Sequence, residues 1–155
     1  MTSSETSPAT SDDLLSMLES VAVRYRTQYM ADLARINLTP SEAAILLLLG
    51  EWADVPWPDQ KTIRDKLPGS APPSRTIREL HQKGLIQIDN DDEDLRRWLH
   101  KLTPKGRRLV SRIEKIRKVY SEQLRTAIRP AGAFAGMYKG LSGFDGWLAK
   151  RQSSQ

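Results

Sequence analysis

Apolar residues at Leu14, Leu18, Val21, Tyr25, Tyr29, Leu33 and Ile36 recur at steps of three and four, which gathers them on one side of a helix. The spacing predicts a long amphipathic helix over about 12–36, with Asp12 available as its cap. Thr39-Pro40-Ser41-Glu42 reads as a capping box with proline at the first helical position, opening a second helix of about a dozen residues. Its run AAILLLLG, 43–50, is apolar all round and so belongs in a core. The same run is too short to cross a bilayer. The segment from Asp54 to Asp59 ends that helix, because Pro56 and Pro58 withdraw backbone donors and push the residues before them to extended conformations.

Asp59 can cap a short helix, 60–67, with Ile63 and Leu67 inward, and Leu67-Pro68-Gly69-Ser70 makes a tight turn. A further helix over about 71–83 ends where Gly84 supplies a left-handed residue. LIQI at 85–88 and WLHKL at 98–102 alternate as strands, the second placing Trp98, His100 and Leu102 on one face. Thr103-Pro104 starts a long helix with an inward stripe of Leu109, Ile113, Ile116, Tyr120, Leu124 and Ile128, stopped at Pro130. The glycine-rich stretch 131–143 is expected to be a linker. Ser142 and Asp145 are then caps for a short last helix, 142–150, carrying Phe144, Trp147 and Leu148. Residues 1–11 are expected to be a disordered Ser/Thr-rich tail, 12–150 a single domain and 151–155 a C-terminal tail. The fold class is mainly α with a small β-hairpin wing. Short helix, tight turn, helix and two strands, over about 39–103, is the order of a winged helix-turn-helix.

In such a motif the second helix reads DNA, so it needs one face for the core and one for the groove. At about 100° per residue, Pro73, Thr76, Ile77 and Leu80 fall on one side, and Ala71, Ser74, Arg75, Arg78 and Gln82 on the other. Arginine can bond guanine bidentately, and serine or glutamine can reach base edges or phosphates. An amphipathic surface helix would show the same wheel. The place of this one, between a tight turn and a two-stranded wing, favours the nucleic-acid reading. Charge agrees: the formal net charge is +5, and the excess of Lys and Arg lies in 59–130, whereas 1–58 is acidic. That asymmetry suits an anionic partner.

Within this basic region the stretch DNDDEDLRR concentrates Asp89, Asp91, Asp92, Glu93 and Asp94. Between two strands it becomes a wing tip, where Asp and Asn suit the turn and acids can hold arginines in position. NLTPSEAAILLLL (37–49), RTIRELHQKGLI (75–86) and DDEDLRRWLHKLTPKGRRL (91–109) together resemble the MarR-type (multiple antibiotic resistance) transcription regulators. Asp94-Leu95-Arg96 followed by Leu102-Thr103-Pro104-Lys105-Gly106 is similar to that family's wing signature.

The resemblance implies a homodimer joined through helices at about 12–36, 104–128 and 142–150. It implies recognition helices in successive major grooves of double-stranded DNA, wings in the flanking minor grooves, and repression relieved by small, often aromatic or anionic, ligands. It further implies that Arg96 enters the minor groove, that Asp94 orients that region through salt bridges, and that Ser74, Arg75 and Arg78 face bases and phosphates. Gln82 and Arg97 complete the candidate DNA-binding set. The chain departs from the pattern at Ala71-Pro72-Pro73, which removes possible base contacts and two backbone donors, at Ile88-Asp89 and at Leu99. The proline-rich helix start keeps open an alternative: a winged-helix dimer that binds protein rather than specific DNA.

Other chemistries find little support. The absence of cysteine excludes disulfides, thiolate metal sites and thiol switches. Asp89, Asp91 and Glu93 have the alternate spacing of a calcium loop, but Asp94 stands where glycine is needed and His100 where glutamate is needed. His81 and His100 lie on separate elements without ligand spacing. No glycine-rich phosphate loop, nucleophile elbow or separate carboxylate pair suggests an enzyme. No cofactor or metal is expected, and no membrane span. The N-terminus lacks the pattern of a secretory signal, so a cytoplasmic protein is expected. Trp52 and Trp57, at the junction after the second helix, are read as packing residues, and no ligand-binding residue is singled out.

Overall fold

The computed structural model describes residues 10–52, 57–67, 73–128 and 131–152. The elements are α1 (Ser11–Ala34), α2 (Pro40–Glu51), α3 (Gln60–Lys66), α4 (Pro73–Gln82), β1 (Ile86–Asn90), β2 (Trp98–Leu102), α5 (Pro104–Ala127) and α6 (Ala131–Gln152). The chain divides after Ile113 into two compact units.

In the first unit, α2 is the central element, as its apolar run requires: Ala43, Ile45, Leu46, Leu48 and Leu49 are buried. α1, α4 and β2 pack around it, and α3 contacts both α4 and β2. The expected capping box is present: the Thr39 hydroxyl accepts from Glu42 N–H at 3.2 Å, and Glu42 Oε2 accepts from Thr39 N–H at 2.8 Å. For α1 the cap is Thr10 rather than Asp12, in a reciprocal box with Asp13. Thr10 is in extended backbone with its hydroxyl over the first turn, the geometry that satisfies an orphan donor.

α1 also ends earlier than its periodicity suggests, at Ala34. Asn37 takes a left-handed conformation (φ 56°). Its N–H donates to the Ala34 carbonyl and that of Leu38 to the Leu33 carbonyl, the crossed pair of a Schellman motif. Gly84 (φ 68°) closes α4 in the same way, through Gly84 to His81 and Leu85 to Leu80. In each case the two leucines the motif brings together, Leu33 with Leu38 and Leu80 with Leu85, are buried.

β1 and β2 pair antiparallel with Ile86 opposite Leu102 and Asn90 opposite Trp98. β1 therefore begins one residue later than expected and takes in the first two residues of the acidic run, leaving 91–97 as the tip. A third strand segment, absent from the sequence reading, bridges Asp59 to Leu99, and the Pro58 carbonyl accepts from His100 N–H at 3.1 Å. Proline has no N–H to give, but its carbonyl still pairs at a sheet edge.

The largest departure is α6. The stretch expected to be a linker before a short helix is one helix from Ala131 to Gln152. Each glycine there costs about 1 kcal/mol of helix propensity relative to alanine, yet no proline interrupts 131–152. Between the glycines, Phe134, Met137, Leu141, Phe144 and Leu148 fall at alternating steps of three and four, a helical stripe.

The junction of wing and α5 explains the spacing of Leu-Thr-x-x-Gly. Thr103 caps α5 by accepting from Gly106 N–H at 3.0 Å, and its hydroxyl donates to the Gly84 carbonyl at 2.8 Å. Pro104 then occupies the first helical position, where its missing N–H costs nothing. A Cβ on Gly106 would run into the Leu85 carbonyl oxygen. Gly106→Ala should therefore destabilise the protein by about 1–3 kcal/mol, as overpacking does when the obstacle is backbone. An unchanged urea midpoint in that variant would contradict the close approach.

Candidate nucleic-acid interface

α4 sorts its residues as the wheel requires. Pro73, Ile77 and Leu80 are buried, and Ser74, Arg75, Arg78 and Gln82 are exposed. Thr76 is half-buried, and Ala71 lies outside the described residues, as does the turn at 68–70. Arg75 Nε donates to Glu79 Oε1 at 2.9 Å one turn along the same helix. Glu79 had no part in the sequence reading, although its i, i+4 spacing from Arg75 signals such a pair. Arg78, by contrast, has no acidic partner among the described residues.

The carboxyl end of α4 is fixed by a buried charge. Lys83 Nζ donates to Glu42 Oε1 at 2.6 Å and to the Asn37 carbonyl at 3.1 Å. Glu42 is 1% exposed while the Lys83 side chain stays 42% exposed, so a buried carboxylate and a partly solvated ammonium tie the α1–α2 corner to the end of α4.

At the wing tip, Asp91 N–H donates to the Arg97 carbonyl and Arg97 N–H to the Asp94 carbonyl, at 2.9 and 2.8 Å. Asp94 Oδ1 accepts from Arg96 N–H at 3.0 Å. Asp94 thus orders the backbone under Arg96. The salt bridges that the resemblance implied for Asp94 are made instead by Asp59 and Asp91, both to Arg97, each at 3.2 Å. Aspartate's short side chain reaches the N–H two residues on more readily than it reaches a neighbouring guanidinium. Arg96 remains exposed, without an ion pair among the described residues, beside Leu95, which is 73% exposed.

Asp59 joins the wing to α3. Its Oδ1 accepts from the Thr62 N–H and hydroxyl at 2.8 and 2.7 Å, capping the helix, while Oδ2 accepts from Arg97 Nε. These donors hold its carboxyl below the ordinary range, Thr62 first and Arg97 after it, against the opposing effect of partial burial. His100 sits 3% exposed in β2. With Nδ1 protonated, the ring donates to the Pro58 carbonyl at 3.2 Å. Burial pushes its pKa down, and the Pro58 carbonyl and the Asp59 charge only partly offset this.

Behind the wing a cleft of about 250 Å³ is lined by Trp52, Trp57, Lys101 and Arg107 with Leu49 and Val110. Lys101 Nζ lies 4.0 Å from the centroid of the Trp57 ring. Two indoles and two cations around one hollow suit an aromatic or anionic guest. The sequence reading left these tryptophans as packing residues. Among the described residues, no group of three or more histidines and carboxylates is placed to hold a metal ion.

In sequence, no protein-family model and no curated protein matches the chain. In structure, it is similar to S. aureus MepR in complex with DNA, with a TM-score of 0.75 at 21% identity, covering 90% of this chain and 96% of that one. A MarR family transcription regulator gives a TM-score of 0.75 at 20% identity, over 90% and 94% of the two chains. CouR from Rhodococcus jostii RHA1, bound to p-coumaroyl-CoA, gives 0.72 at 24% identity, over 89% and 95%. The chain has the MarR winged-helix fold.

Within the MarR fold, the wing's attachment through His100 has a measurable pH signature. The folded pKa of His100 lies below its unfolded value of about 6.5, so the native state resists a proton that the unfolded chain accepts. The stabilisation is complete above about pH 6.5 and is lost as pH falls toward the folded pKa, by up to about 1.4 kcal/mol per pH unit. Urea titrations between about pH 7.5 and 5 should show that loss, and His100→Gln should remove this component of the slope. An identical slope in the variant would contradict the assignment.

Proposed function

We propose that this chain is a sequence-specific, double-stranded-DNA-binding transcription regulator that works as a homodimeric repressor in the cytoplasm, by binding and without chemistry of its own. One observation carries the reading: α4 turns Ser74, Arg75, Arg78 and Gln82 to solvent beside a wing that offers Arg96, in a fold shared with a protein solved on DNA. The role of α4 is to enter the major groove with its exposed face, and that of the wing is to bring Arg96 to the minor groove, where narrow A·T-rich stretches concentrate negative potential.

Apolar residues without cover support the dimer. α1 exposes Leu14, Met17, Val21 and Val23, each by about half or more, and α6 exposes Phe134, Met137, Leu141, Phe144 and Leu148 by 38–41%. On α6 these residues form one helical stripe, and exposed apolar surface of this kind marks an association surface. We assign α1, α5 and α6 to that interface. Sedimentation should show a dimer, and Leu141→Glu in the α6 stripe should shift it to monomer with loss of operator affinity. A concentration-independent monomer in the unsubstituted protein would overturn the assignment.

The cleft at Trp52, Trp57, Lys101 and Arg107 is our candidate for the effector. Its volume suits a small aromatic carboxylate, with the acid toward Lys101 and Arg107 and the ring against the indoles. No transmembrane-length apolar helix is present among the described residues, which suits a cytoplasmic regulator.

The decisive experiment selects bound duplexes from a random pool at two salt concentrations. Enriched pseudo-palindromes support a two-fold regulator, and no enrichment returns the chain to the protein-binding alternative. On a selected operator, Arg78→Ala should cost about 1–3 kcal/mol and relax preference at one base. Arg75→Ala should cost less, because Arg75 must give up Glu79 to reach DNA. Arg96→Ala should weaken binding and leave the dimer intact, and unchanged affinity in that variant would remove the wing from the interface.

A further inference from the structure

We propose that Arg97, although it lies in the basic wing sequence, is a positioning residue that does not contact the operator: clamped between Asp59 and Asp91, it fixes the wing against the start of α3 so that Arg96 is presented to DNA. This inference rests on the DNA-binding reading above.

The geometry assigns each atom a separate task. Arg97 Nε reaches Asp59 Oδ2 and Nη1 reaches Asp91 Oδ2, both at 3.2 Å. The guanidinium therefore spans two carboxylates from different parts of the chain, which an arginine fork does and a lysine ammonium does poorly. Both carboxylates are largely shielded, with side chains 21% and 17% exposed. Moving Arg97 to a phosphate would strand two partly desolvated charges.

The second oxygen of each acid holds local backbone. Asp59 Oδ1 caps α3 at Thr62, and Asp91 Oδ1 accepts from Glu93 N–H at 3.0 Å in the tip turn. The clamp thus joins a helix cap to a turn through one side chain. Arg96 precedes Arg97 in sequence, and the Arg97 N–H and carbonyl both pair within the tip. Fixing the Arg97 side chain consequently fixes the backbone that carries Arg96.

The division of labour between carboxylate oxygens gives a clean test. Asp91→Asn and Asp59→Asn keep the oxygen that serves the turn or the cap, and replace with an amide the oxygen that serves Arg97. Each also removes a negative charge near the DNA, which by itself raises affinity for a polyanion. The two roles for Arg97 then predict opposite signs. If Arg97 contacts DNA, freeing it from its acids strengthens binding. If it positions the wing, binding weakens despite the more favourable net charge.

Duplex affinity is measured for both variants, alone and with Arg96→Ala, in protein whose fold and dimer are verified by circular dichroism and sedimentation. We expect each asparagine variant to bind the operator about two- to fivefold more weakly, and to have little further effect once Arg96 is alanine, because the clamp acts through Arg96. Tighter binding in either single variant overturns the proposal, as does an equal decrement with and without Arg96. If the unsubstituted protein selects no duplex, the DNA-binding reading fails; the clamp proposal fails separately, on the sign and coupling in a protein that does bind.

Discussion

A single carboxylate, Glu42, sets the frame in which α4 is held. One oxygen closes the capping box at the start of α2, and the other receives Lys83 just beyond the end of α4. Because Glu42 is almost wholly buried, removing one partner leaves a desolvated charge, and charge-assisted hydrogen bonds of this kind are the strong ones. Lys83 also reaches the Asn37 carbonyl, the residue whose left-handed backbone turns the chain from α1 into α2. One ion pair therefore links the corner between α1 and α2 to the carboxyl end of α4. Pro73, Ile77 and Leu80 pack the inner face of α4, and its outer face leaves Ser74, Arg75, Arg78 and Gln82 exposed.

A second node does for the wing what Glu42 does for α4. Thr103, Gly106 and the carbonyls of Gly84 and Leu85 lock the base of the hairpin to α5, and Pro58 with Asp59 locks its outer strand to α3. A two-stranded hairpin is marginal on its own. Here β2 is anchored at Leu102-Thr103 on one side and through Arg97, Leu99 and His100 on the other, while the tip keeps Leu95 and Arg96 in solvent. Rigid attachment and an exposed tip are what a wing needs to place one side chain in a narrow groove, because a loosely held arginine spends binding free energy on ordering.

Much of this was legible in the amino-acid order because it is local. Thr39-Pro40-x-Glu42 named its own helix start, Asp59 its cap, Gly84 its helix end, and the periodicity of 73–80 the two faces of α4, since each depends on residues within one or two turns. What escaped the reading is non-local or was outweighed. Nothing in the sequence pairs Glu42 with Lys83, forty-one positions away, or Asp59 with Arg97, thirty-eight away. The bridge beside Pro58 has no signature in the sequence, because proline signals the donor it lacks and not the acceptor it retains. In α6 two local signals conflict, five glycines that suggest a linker and an apolar stripe that suggests a helix, and periodicity over fifteen residues outranks composition when no proline intervenes.

The acidic run in a basic region shows how position changes the meaning of charge. Asp89 and Asn90 belong to β1 and Asp89 receives Gln87. Asp91 neutralises Arg97, and Asp94 is spent on backbone donors. Among the acids of the tip itself, Asp92, Glu93 and Asp94 are exposed and carry no ion pair among the described residues. Pairing with Arg97 compensates the charge of Asp91, whereas the N–H that Asp94 accepts shapes the turn and leaves its charge in place. The acidic run is thus in part a turn-building sequence, in which Asp91 and Asp94 shape the backbone beneath the exposed Arg96.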